Sequence, residues 1–154
     1  DIGPEHLVSA QVYDDELTVA LLAMAAEQLG SSVSDCLKAF GRYWIRFAER
    51  GSYGAMMDFT GRDIATFIGN LDRMHQAVQA AMPEARVPSF RLVEQSPECL
   101  KVQYRSEREG LEPFVIGLLE GLLDRFETAG SVEMLSGAGN AAEFAIHIAD
   151  PASA

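Results

Sequence analysis

The chain has 154 residues, 48% of them hydrophobic, with a formal charge of -11 and a pI near 4.6. That length suits one domain with a real core and is short for two. An acidic surface repels phosphate backbones and anionic headgroups, so neither nucleic acid nor a membrane is expected as a partner.

No apolar run approaches the roughly 20 residues of a spanning helix, and the N-terminus lacks a charged start followed by an apolar signal core. A soluble protein is expected. Cys36 and Cys99 stand apart from each other and from any metal-ligand spacing. They read as free thiols in a reducing cytoplasm.

Asp1 to Gln11 shows no clear period and reads as a loop. From Asp14 the pattern is helical: Leu17, Ala20, Leu21 and Met24 recur at three- and four-residue spacing, and Gly30 closes the run. Ser32 or Ser34 can cap the next helix, whose Leu37, Phe40, Tyr43, Trp44 and Phe47 form an aromatic stripe of the kind that usually builds core. Ala55 to Phe59 predicts a short helix ended by Gly61. Arg62 to Met82 predicts one long helix, with Ile64, Phe67, Ile68, Leu71, Met74 and Val78 on one side and Pro83 as the stop. His75 falls within that stripe and should turn inward with it.

Beyond Pro88 the period changes to two. Phe90 and Leu92, then Leu100, Val102 and Tyr104, alternate with polar residues around a turn at Ser96-Pro97-Glu98, which predicts a hairpin. Leu111, Phe114, Val115, Leu118, Leu119, Leu122 and Phe126 mark a helix. Val132 and Met134, then Phe144, Ile146 and Ile148, predict a second hairpin with Ser136 to Asn140 as its turn. The expected fold is α+β in one domain over 1–154, with a helical part to about residue 86 and a four-stranded antiparallel sheet carrying a helix after it.

His75 has no second His, Cys or carboxylate one turn away on its face, so a zinc or di-iron site on this helix is not expected. A lone histidine on an apolar face is commonly just a hydrogen-bonded core residue. Haem, which brings most of its own coordination sphere, is the cofactor for which one inward histidine is enough. Haem also needs an apolar slot and donors for two carboxylates. Trp44, Phe47, Leu71, Met74 and the helix from Leu111 offer the first. Tyr104, Ser106 and Arg108, at i, i+2 and i+4, offer the second if the extended form persists, though such a triplet alone is more often a solvated strand end.

Tyr104-Arg105-Ser106-Glu107-Arg108 resembles the Tyr-x-Ser-x-Arg motif of the H-NOX (haem nitric oxide/oxygen-binding) family, and Glu109-Gly110-Leu111-Glu112-Pro113 is similar to the adjoining segment of bacterial members. Asn70-Leu71-Asp72-Arg73-Met74-His75 resembles the family's proximal-ligand helix. Met82-Pro83 through Val87-Pro88-Ser89-Phe90 resembles its proline-bearing loop, and Gly41-Arg42-Tyr43-Trp44 a helix lining the distal pocket. The resemblance implies haem b (iron protoporphyrin IX), with His75 as iron ligand, Tyr104, Ser106 and Arg108 on the propionates, and Pro88 pressing on the ring.

By the same resemblance, Pro113 stands where oxygen-holding members usually carry a distal tyrosine. Neither it nor Phe114 or Val115 can donate, so nitric oxide and carbon monoxide are expected as ligands and dioxygen is not, with the Trp44 indole as the one possible donor. Nitric oxide would weaken the bond from iron to His75, relax the ring from Pro88 and shift the helical part against the sheet. By resemblance the partner is a histidine kinase or a cyclic-dinucleotide enzyme. The resemblance implies one or two further helices before Asp1; disorder, truncation and natural absence are the alternatives, and only natural absence would leave the distal face more open. A haem-free regulatory module of the same fold is the alternative. No enzyme is expected, since no nucleophile elbow, paired carboxylates or phosphate-binding turn is present; His6, His147, Glu107 and Glu109 read as surface residues.

Overall fold

The computed structural model describes residues 15–84, 86–107, 109–138 and 140–149. The opening segment before Asp15, His6 within it, and Arg108 lie outside them. Among the described residues five helices come first: α1 (Asp15–Leu29), α2 (Val33–Arg50), α3 (Gly54–Thr60), α4 (Ile64–Gly69) and α5 (Leu71–Ala81). A hairpin of β1 (Ser89–Gln95) and β2 (Cys99–Arg105) comes next, then α6 (Glu112–Arg125) and a second hairpin of β3 (Gly130–Ala138) and β4 (Ala141–Ile148). All strands are antiparallel, in the order β1-β2-β4-β3.

Local chemistry accounts for most of the boundaries. Gly30 takes a left-handed φ of 65° after α1, a conformation in which glycine carries no Cβ penalty. The Ser32 hydroxyl accepts from the Asp35 N–H and starts α2, while the Asp63 carboxylate does the same for Thr66 and starts α4.

The single helix expected over 62–82 is instead two. Asn70 leaves helical geometry between α4 and α5, and its side-chain amide donates to the Thr60 carbonyl 2.9 Å away. An asparagine that finds a tertiary acceptor ends one helix and starts another, although the apolar period runs through the break.

The second hairpin also differs. β3 continues through the expected turn residues Ser136 and Gly137, accommodated by a register shift between Met134 and Ser136.

Alternating residues of the sheet, Phe90, Leu100, Val102, Tyr104, Ala142, Phe144 and Ile146, join Val115, Leu119 and Leu122 of α6 and Phe67 and Ile68 of α4 in one buried cluster. α2 lies on α6 at unusually close range: a Cβ on Gly41 would strike the Phe114 carbonyl, and one on Gly117 the Lys38 carbonyl. That approach turns Leu37, Gly41, Ile45 and Ala48 inward. Phe40, Tyr43 and Trp44, expected in the core, are exposed in consequence; Leu21 and Met24 of α1 are exposed as well. The aromatic stripe fits a helical face, but backbone proximity selects the glycine face instead.

Candidate functional site

His75 sits in the middle of α5, half-buried, with its Nδ1 3.0 Å from the carbonyl oxygen of Pro88. A carbonyl can only accept, so Nδ1 carries the proton and Nε2 keeps its lone pair. Burial lowers the imidazole pKa below its usual value, opposed by the Pro88 hydrogen bond and by the negative charge of Asp72. The result is a neutral imidazole held in one tautomer, the form in which histidine ligates a metal.

The backbone around it is held from a second point. One carboxylate oxygen of Asp72 accepts from the Phe90 N–H at 2.7 Å and the other from the Ser89 hydroxyl at 2.9 Å. Asp72 and His75 are three apart on α5, while Pro88, Ser89 and Phe90 are consecutive, so two residues of the helix hold three of the strand entry. Neither Asp72 nor Ser89 stands out in the sequence as a functional residue. Eighteen residues separate Asp72 from Phe90, and nothing local marks the pair.

Phe90 links the histidine to the sheet interior. Its ring centroid is 6.0 Å from His75 and 5.3 Å from Tyr104, which in turn lies 6.3 Å from Phe144. Tyr104 is buried opposite Phe90 in the β1–β2 register. The strand ends at Arg105, so the alternation invoked for the donor triplet stops after Tyr104. Ser106 is half-buried, and its backbone N–H donates to the Asn140 carbonyl at 2.9 Å. Arg108 is outside the described residues.

Of the other candidates, Met74 and Pro88 are half-buried, whereas Leu71 is 7% exposed and belongs to the core. Pro113 is half-buried in the first turn of α6. Trp44 is 40% exposed and rests on Phe47, with ring centroids 5.5 Å apart. Cys36 and Cys99 are half-buried free thiols, and His147 is an exposed residue paired with Glu133 at 2.8 Å.

Among the described residues no cluster of three His, Cys, Asp or Glu side chains could hold an ion, and no helix is long and apolar enough to cross a membrane. Two clefts, of about 770 and 320 Å³, lie elsewhere; His75 lines neither. The donor chemistry at His75 therefore fits a group that asks for a single axial nitrogen, such as haem. Large apolar side chains of α1 and α2, among them Met24, Phe40 and Trp44, are exposed elsewhere in the helical part.

Comparison with known proteins places this arrangement. A family model described as haem-NO-binding matches residues 1–134. The chain is 28% identical over 126 residues to soluble guanylate cyclase 89Db of Drosophila melanogaster, covering 82% of the chain and 19% of that protein. To the beta-2 subunit of soluble guanylate cyclase from Rattus norvegicus it is 33% identical over 100 residues, covering 64% of the chain and 15% of the subunit. It thus spans less than a fifth of the length of these relatives. Among solved structures, an Fe(II) unliganded mutant H-NOX protein from K. algicida superposes with a TM-score of 0.78 at 22% identity, over 93% of this chain and 77% of that one. The helices and four-stranded antiparallel sheet thus have the H-NOX fold, and the chain belongs to the haem-NO-binding (H-NOX) family.

Proposed function

We propose that the protein is a haem-based sensor that takes nitric oxide, and carbon monoxide, at an iron held by His75, and reports the ligand state to a signalling partner. The observation that carries this reading is the neutral imidazole whose Nδ1 is engaged by Pro88 and whose Nε2 is left with its lone pair. Haem b, when bound, would supply a ferrous iron able to take a diatomic gas.

The chain's own part is to orient and to transmit. Pro88 fixes the ring of His75, and Asp72 ties the same helix to Ser89 and Phe90, so a displacement of His75 is felt at the start of β1. Tyr104 and Ser106, with Arg108, would hold the propionates by hydrogen bonds and charge. Selection against dioxygen is supported by the first turn of α6, where Pro113 has no N–H and neither Phe114 nor Val115 has a polar side-chain atom.

The role is non-catalytic, carried out in the cytoplasm, and the partner class is a histidine kinase or a cyclic-dinucleotide enzyme, as in the family resemblance. The test is reconstitution with hemin, reduction, and spectra taken with nitric oxide, carbon monoxide and air. A Soret band that is lost in His75→Gly, shifts with the first two gases and does not form a stable oxygenated species is the expected outcome. A band that persists unchanged in His75→Gly would reject the ligand assignment, and a stable oxygenated species would reject the selectivity.

A further inference from the structure

The sheet has two outer edges, and they are treated differently. β1 takes contacts from two helices, α4 and α5, and β3 from one, α6. Among the described residues no strand pairs with the outer edge of β3, and every residue from Gly130 to Gly137 except Val132 is exposed.

An open edge offers a row of unpaired N–H and C=O groups, and proteins normally blunt it with lysine, proline, a bulge or a covering element. β3 contains neither lysine nor proline, and leaves Met134 and Leu135 exposed. Besides the charge of Glu133, its blunting device is the register shift between Met134 and Ser136, which leaves residues 130–134 in regular pairing with β4.

That regular half borders a cleft of about 320 Å³, lined by Gly130, Ser131 and Val132 on the strand side and by Glu120, Asp124 and Arg42 on the helical side. Arg42 is bonded to both carboxylates, its Nε 3.1 Å from Asp124 and a terminal nitrogen 3.4 Å from Glu120. One cation against two anions leaves the rim negative, and Glu133, whose partner is His147 at 2.8 Å, adds a further carboxylate on the strand.

We propose that residues 130–134 of β3 are a docking edge for an extended, basic segment of a partner protein, which adds a strand to the sheet and sets a lysine or arginine beside Glu120 and Asp124. Backbone pairing supplies affinity in such additions, and side chains entering the neighbouring cleft supply selectivity. Charge decides the occupant. A second copy of this chain would bring its own Glu133 and a net charge of -11 to the same edge, whereas a cationic segment is drawn to it. The inference goes beyond gas sensing and stands whether or not haem binds.

The experiment titrates the full chain with a short capped peptide alternating lysine and valine, and with its glutamate counterpart, following backbone amide shifts and affinity. Saturable shifts centred on residues 130–134, and binding of the lysine peptide about tenfold or more tighter than the glutamate one, are expected. Ser131→Lys should weaken the lysine peptide by a similar factor, while Ser131→Glu should not. Shifts elsewhere, equal binding of both peptides, no binding, indifference to Ser131→Lys, or self-association through β3 seen by sedimentation would each overturn the proposal.

Discussion

The imidazole nitrogen Nδ1 of His75 and the carbonyl oxygen of Pro88 stand 3.0 Å apart, so a helix and the entry to a strand are joined through the ring proposed as the iron ligand. Because the acceptor is a backbone carbonyl, the bond survives side-chain replacement of Pro88 more readily than a side-chain contact would. The Asp72 ties to Ser89 and Phe90 brace the same junction from one turn away.

Removing that brace has a definite cost. Asp72→Ala should destabilise the fold by about 2 kcal/mol, since the N–H of Phe90, a residue 3% exposed, loses its carboxylate acceptor. Asp72→Asn, which keeps one good acceptor, should lose about half as much. Urea unfolding of the three proteins checks the order, and equal stabilities would show that the ties contribute nothing.

The pH response comes from burial of His75. Its folded pKa lies below the unfolded 6.5, so the native state resists the proton that the unfolded chain accepts. Stability from this group is therefore complete above about pH 6.5 and is lost as the pH falls below it, levelling off once the folded imidazole protonates. The denaturation midpoint of the wild type should drop between pH 7.5 and 5.5 by more than that of His75→Gln; identical drops would assign the loss to other groups.

Glycine at the α2–α6 crossing is a packing requirement. Gly117→Ala should cost about 2–3 kcal/mol, because the new methyl meets the backbone of Lys38 rather than a side chain that can move aside. Gly69→Ala, where nothing lies within 4 Å of the added carbon, should be neutral or stabilising by about 0.5 kcal/mol. Thermal melts of the pair distinguish a crossing effect from a general helix propensity.

Two arginines on the same helical pair should differ in weight. Arg125 is 12% exposed, lies 2.8 Å from Glu49 and 2.7 Å from Asp58, and packs over Phe126. Arg125→Ala should cost about 2 kcal/mol through lost packing and a stranded Glu49. Arg42 is 47% exposed, and Arg42→Ala should cost under about 1 kcal/mol despite its contacts with Glu120 and Asp124, because solvent screens them. Chemical denaturation at low and high salt checks both values.

What the chain determined by itself is whatever rests on period and local capping: the helices around Leu37, His75 and Leu119, the β1–β2 hairpin, and the presence of one inward-set histidine beside a proline-bearing loop. These depend on side-chain spacing and on neighbours within four residues, so a linear reading suffices. Tertiary structure alone decided the rest. Asn70 breaks a helix because Thr60 offers it a carbonyl, the aromatic stripe of α2 stays outside because Gly41 and Gly117 let two backbones meet, and Asp72 finds Phe90 across 18 residues. Each depends on a partner brought near only by the folded chain, and close approach or a distant hydrogen-bond acceptor leaves no periodic mark on the residues that use it.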